Sequence, residues 1–309
     1  MKFGIQTAPQ DVTWEQIRDA WCTADDAGLD SAWNFDHIVP LMIAPDGSIF
    51  EAWSLLAGLA VATKRLTIGC MVTCNTFRHP GLLAKMAATI DHMSDGRLIV
   101  GLGAGYHEIE HVSYGIPMHS QRERAAMLAE SCQVLKGLFT QERFSFDGAH
   151  YTIKEAPFSP PPVQLGGPPL LLGGRGEKLT LPLVARYADQ WNLSGGAGPE
   201  DFVQKHGVLT DLCREIGRDP AEIETNMAFV TVVGHDGARA KERARAIAQY
   251  FGLPPEVADA AFLAGEPTEI VERISALEAV GVDHFVNSLV PGTYDDVRLF
   301  ADTVVSHWR

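Results

Sequence analysis

Short apolar runs alternate along the chain with longer segments whose apolar residues recur at helical spacing. Residues 2–7 (KFGIQT) form the first run and predict a buried strand. Residues 13–27 follow, with Trp14, Ile17, Trp21 and Ala24 on one face, Thr13 as candidate N-cap and Gly28 as candidate stop. The same alternation predicts strands at 31–35, 66–72 and 98–103, and helices at 51–63, 81–93 and 120–139. It pauses over 141–169, which reads as a hairpin and a proline-rich loop. Strands are then predicted at 170–172, 190–193, 225–233 and 284–290, and helices at 177–188, 199–216, 267–280 and 294–307. An extra helical stretch covers 239–263. Eight short apolar strands, each followed by a helix, suit a parallel sheet covered on both faces. The expected fold class is therefore α/β: a single (β/α)8 TIM barrel over 1–309, with insertions at about 141–169 and 234–266. A doubly wound sheet with a small second domain fits the same alternation, but no composition shift marks a boundary.

Composition narrows the functional classes. An apolar fraction of 46% over 309 residues excludes a disordered chain. Asp and Glu outnumber Lys and Arg by 39 to 25, a net charge of −14, which argues against nucleic acid or an anionic membrane as partner. No run approaches the ~18 apolar residues of a membrane span, and the opening MKFGIQT lacks the shape of a signal peptide. Five widely spaced cysteines without a C-x-x-C pair predict a reduced, cytoplasmic protein.

In such a barrel the active site lies at the C-terminal ends of the strands. Polar residues there are Asp36 and His37 after the second strand, and Cys70, Met71, Thr73, Asn75 and Arg78 after the third. Gly103, Gly105, Tyr106, His107 and Glu108 follow the fourth, Gly173, Gly174, Arg175 and Gly176 the fifth, and Asn192 the sixth. The run LLGGRGEK (171–178) leads straight into a helix. Its glycines, open amides, Arg175 and Lys178 suit a phosphate; a tight strand-to-helix turn is the plainer alternative.

GLGAG (101–105) fails the dinucleotide fingerprint because Tyr106 occupies the position after it and no ribose-binding acid follows. HEIEH (107–111) matches the zinc motif H-E-x-x-H, with Glu108 as base. No helical periodicity supports it and no third ligand is identifiable, so the segment is placed on a loop and no metal is expected. Cys70 and Cys74, without a second cluster, read as small packing residues rather than ligands. Asp36 and His37 make a carboxylate–imidazole pair whose adjacent side chains point to opposite sides, which implies separate jobs.

Several segments taken together carry a family likeness: FDH (35–37), GCMVTCNTFRHP (69–80), LAKMAATIDH (83–92), SDGRL (94–98), GLGAGY (101–106), LGG (172–174) and ARYADQWN (185–192). The chain resembles the bacterial luciferase-like monooxygenase superfamily over essentially its whole length, and within it the oxidoreductases that use the deazaflavin coenzyme F420. The resemblance implies a (β/α)8 barrel whose cofactor ring lies at the C-terminal face. It implies a non-prolyl cis peptide after the third strand, at Cys70–Met71, against which the ring packs. Asp36 would hydrogen-bond the cofactor, and His37 would face its C5 and handle a substrate proton. The glycines after the fourth strand, Gly103 and Gly105, would pass the ribityl chain, with Tyr106 a further cofactor-binding residue; Gly173 and Gly174 with the following helix would hold its phosphate, Arg175 and Lys178 supplying the basic patch. The sugar-phosphate dehydrogenases of the superfamily carry a glutamate where this chain has Tyr106, so Glu108 is the candidate substitute acid.

The implied reaction is hydride transfer between the deazaflavin and a small organic substrate. The alternatives are an FMN-dependent monooxygenase fed by a flavin reductase, and a non-catalytic flavin-binding barrel. A homodimer is implied by the resemblance alone. The substrate is set by loops 38–50, 106–119, 141–169 and 234–266, where Ile38, Leu41, Met42, Phe50 and Tyr106 suggest a partly hydrophobic molecule.

Overall fold

The computed structural model describes residues 1–41, 47–193 and 198–309; Met42 lies outside them. The first half runs β1 (Lys2–Thr7), α1 (Trp14–Asp26), β2 (Ser31–Asn34), α2 (Ala52–Ala62), β3 (Thr67–Cys70), β4 (Thr73–Cys74), α3 (Pro80–Met93) and β5 (Leu98–Gly103). A short α4 (Glu108–Ser113), the long α5 (Gln121–Thr140) and a hairpin of β6 (Arg143–Asp147) and β7 (Thr152–Pro157) follow. Then come β8 (Leu170–Gly173), α6 (Leu181–Tyr187), β9 (Gln190–Leu193), α7 (Pro199–Glu215) and β10 (Glu224–Val233). The chain ends with α8 (Gly237–Tyr250), α9 (Pro255–Ala261), β11 (Leu263–Gly265), α10 (Pro267–Ala279), β12 (His284–Leu289) and α11 (Val297–Thr303).

Among the described residues, β1, β2, β3, β5, β8, β9, β10 and β12 pair in that order, all parallel, and β12 closes the ring onto β1. Lys2 stands opposite His284, and Asn226 opposite the same residue on the other side. This is the expected eight-stranded barrel with its helices outside. Local chemistry explains the helix ends. Thr13 caps α1 in a reciprocal box with Gln16, and Gly28 takes φ +78° just beyond its end. His79 caps α3, with Pro80 in its first turn.

Four expectations need correction. The predicted strand 66–72 breaks after Cys70, and its continuation β4 pairs with β5. The non-prolyl cis peptide is Met71–Val72, one residue beyond the expected Cys70–Met71. Ladder pairing explains the offset: the Met71 amide still donates to Asn34 O at 2.8 Å, so the strand geometry holds through that nitrogen. The helical stretch 239–263 is two helices and a strand, because Gly252 at φ +67° and the prolines at 254 and 255 end α8, and β11 then extends β10 at its far end. The helix predicted from 177 begins only at Leu181, the turn before it consuming residues 174–180.

Alternation along the strands divides the core. Cys70, Phe3, Ile5 and Phe285 face the helices in the large outer cluster. Trp33, Met71, Ile99, Leu171 and Val286 fill the barrel interior. Trp33 is fully buried, and its indole N–H donates to Ser31 Oγ at 2.7 Å, so the interior plug leaves that donor satisfied. The plug is the floor on which the site is built. No helix among the described residues is long and apolar enough to cross a membrane.

Candidate active site

A cavity of about 690 Å³ opens at the C-terminal ends of the strands. Its wall includes Asp36, His37, Met71, Val72, Gly103 and Gly173, delivered by four different strand ends. The Met71–Val72 bulge projects across those ends. A Cβ on Gly103 would stand 2.6 Å from Val72 Cγ2, and one on Gly173 2.7 Å from Val72 Cγ1. These two glycines therefore make room for the bulge. Gln6 braces it from the first strand, its side-chain amide donating to Met71 O at 2.6 Å and accepting from Ser288 Oγ at 3.0 Å. Gln6 carries no sequence signal of a site and is found only by closing the barrel; Val72 lies in the 69–80 segment that carries the family likeness, but its contacts with Gly103 and Gly173 appear only in the fold.

Asp36 and His37 do have separate partners. Asp36 is 1% exposed and forms a two-pronged pair with Arg78, while the Cys74 amide donates to its Oδ2 at 2.9 Å. Arg78 also reaches Glu51 at 3.4 Å. His37 turns the other way, and its Nδ1 lies 2.9 Å from Glu110 Oε2. Phe35 and Tyr106 meet the His37 ring edge-on at 5.3 and 5.7 Å.

Glu110 belongs to α4, a helix formed where a loop was expected. The Ile38 and Val39 amides donate to its Oε1 at 2.7 and 3.2 Å. Burial pushes its carboxyl up, but the His37 bond and charge and these two amides outweigh that and hold it below the usual carboxylate range. Glu108, the acid expected from sequence, is exposed and does not line the cavity. One-residue steps on a helix turn through about 100°, so Glu110, two places on, faces inward where Glu108 cannot.

The H-E-x-x-H segment does not assemble as a zinc pair. His111 is fully buried, with Nε2 2.7 Å from Thr76 Oγ1 and Nδ1 2.9 Å from His107 O. His37, His107 and Glu110 instead bring ligand-type atoms within 4.8 Å of one another. Burial raises the Cys70 thiol well above its ordinary range and pushes Cys74 up to about 11, so both stay protonated and pack as small residues. Cys70 faces the helix layer and does not reach the cavity.

The model of the family described as luciferase-like monooxygenase matches residues 1–254. The chain belongs to this family. A relative in sequence is the F420-dependent glucose-6-phosphate dehydrogenase of Microbacterium testaceum, 28% identical over 309 aligned residues that cover 93% of this chain and 90% of the relative. Among solved structures, the coenzyme F420 dependent tetrahydromethanopterin reductase from Methanopyrus kandleri superposes with a TM-score of 0.86 over 100% of this chain and 99% of its own, at 21% identity. An F420-dependent secondary alcohol dehydrogenase in complex with an F420–acetone adduct matches equally, with a TM-score of 0.86, 99% and 98% coverage and 21% identity. At that identity these two establish the fold.

Within this family member, the remaining expected residues fall as follows. Met71, Gly103, Gly105, Tyr106, Gly173, Gly174 and Arg175 all line the cavity. Gly105 takes φ +78°, and a Cβ there would press on Cys74 Sγ at 2.8 Å. Tyr106 stands 66% exposed at the mouth. Arg175 pairs with Asp201 at 2.5 Å. Arg124, which sequence reasoning passed over, also lines the cavity, but its guanidinium is taken up by Gly105 O at 3.1 Å and by His119 O.

Proposed function

We propose that this protein is an F420-dependent oxidoreductase, with hydride passing between C5 of the deazaflavin and a small uncharged alcohol or carbonyl compound. The observation that carries the reading is a shared cavity. It joins an imidazole, His37, to a glycine-lined wall and to a turn with open amides. Among the described residues, no protein acceptor takes the N–H of Gly176, Glu177 or Lys178. Those amides, with Gly173, Gly174 and Arg175, have the donor chemistry a phosphate group needs. The Met71–Val72 bulge offers a flat apolar surface for a ring. The residues present therefore fit the cofactor that the curated relatives use.

When bound, the deazaflavin supplies a carbon centre that accepts or releases two electrons as hydride. The chain supplies the rest. His37 takes the hydroxyl proton when an alcohol is oxidised and returns it when a carbonyl is reduced. Phe35, Leu41 and Tyr106 cover that end with apolar and aromatic surface, which excludes water and favours an uncharged substrate. Arg78 is committed to Asp36, and the Arg124 guanidinium is held by backbone carbonyls.

Titration with F420 and with FMN tests the cofactor: F420 should bind tightly, and binding of FMN alone would overturn the proposal in favour of a flavin monooxygenase. Absorbance of the bound deazaflavin should respond to secondary alcohols and not to glucose 6-phosphate. His37→Ala should bind F420 unchanged and lose turnover by roughly 10²- to 10⁴-fold.

A further inference from the structure

We propose that Glu110 is a positioning residue: it holds His37 in one tautomer, with Nδ1 protonated and Nε2 left bare for the substrate. The inference rests on the role of His37 proposed above and adds the device that aims it. Glu110 is 1% exposed, yet each of its oxygens has a defined use. Oε1 accepts from the amides of Ile38 and Val39, which belong to the segment that carries His37. Oε2 is 2.9 Å from His37 Nδ1. Those amides fix the carboxylate's rotation, so Oε2 has one direction in which to point.

An ionised carboxylate only accepts. The hydrogen on the shared line must therefore sit on His37 Nδ1, and in the neutral ring the lone pair lies on Nε2. His37 is only 13% exposed, so water competes weakly for either nitrogen. A second ring stands by: His107 Nδ1 is buried without a hydrogen bond, 3.4 Å from the same Oε2. At that longer distance it does not displace His37. Glu110 thus links α4 to the loop after β2, and a shift of α4 would turn the imidazole as it moved.

The test begins on the cofactor-free protein. Nitrogen-15 NMR of labelled histidine, recorded where the ring is neutral, should place the proton of His37 on Nδ1. Glu110→Gln should reverse or mix the tautomer, because an amide N–H can then face the ring. In turnover with F420, Glu110→Gln should lower kcat on the order of 10²- to 10⁴-fold, as a wrong imidazole tautomer does elsewhere, with KM changed less than about threefold. In a His37→Ala background the same substitution should cause no further loss.

A wild-type ring protonated on Nε2, or one tautomer common to both proteins, overturns the proposal without needing the variant to be active. A loss confined to KM also overturns it. So does stoichiometric divalent metal in the purified protein that disappears with Glu110→Gln, since the trio would then be a metal site. Full turnover by His37→Ala removes the proposed role of His37, and this inference with it, whatever the tautomer.

Discussion

Asp36 shows how a side chain that lines a site can also brace the scaffold. Its carboxylate is buried, and its partner Arg78 is nearly so, with 11% of its side chain exposed. Removing one member of a buried pair strands the other charge at a cost of roughly 3–5 kcal/mol. Arg78→Ala should therefore lower the urea midpoint by that equivalent without changing the slope, and loosen the strand end that presents His37. The pair Asp36–His37 was legible in sequence as two neighbours with separate jobs. The identity of their partners was not. Arg78 lies 42 residues from Asp36, and Glu110 lies 73 from His37. No periodicity connects residues so far apart.

Elements decide how those side chains meet. The bulge after the third strand needs space at the ends of β5 and β8, the next two strands round the barrel, and glycine provides it at 103 and 173. Gly103→Ala would drive a methyl group into Val72, an overpacking expected to cost about 1–3 kcal/mol. Thermal unfolding should show the loss, F420 affinity should fall with it, and Val72→Ala in the same chain should recover much of both. Long elements such as α1 and α5 were readable because three or more turns repeat one apolar face. The six-residue α4 was not, since so short a helix has no stability of its own and forms only where packing holds it. Its buried residues are Glu110 and His111, both polar, which gives no apolar signal at all.

At the scale of the whole molecule, closing the barrel gathers residues 6, 37, 71, 103, 110 and 173 at one end and sets acidic groups at the other. Asp30, Asp189 and Asp283 accept from the amides of Phe3, Leu170 and Thr225, the residues at or near the start of their strands. Part of the net charge of −14 thus serves to cap strands on the face opposite the site. Glu224 stands on that face too. Burial pushes its carboxyl up, but bonds from His284 and Lys2 outweigh burial and bring it down to about 2. A carboxyl lowered on folding contributes stability above its unfolded pKa of about 4.3, and that contribution is lost as pH falls towards 2. Glu224→Gln should cost about 1–2 kcal/mol at neutral pH, allowing for solvent screening. Its stability should also depend less on pH between 5 and 2, as acid unfolding curves would show.

By itself the sequence determined the eightfold alternation, the caps of α1, the family and most of the cavity-lining glycines. These follow from local periodicity, from capping chemistry and from contiguous motifs. Only the tertiary structure decided which carboxylate meets His37, where the peptide after the third strand turns cis, and that Cys70 faces away from the site. Each of those depends on contacts between strand ends far apart in the chain, and the geometry of such contacts exists only once the sheet has closed on itself.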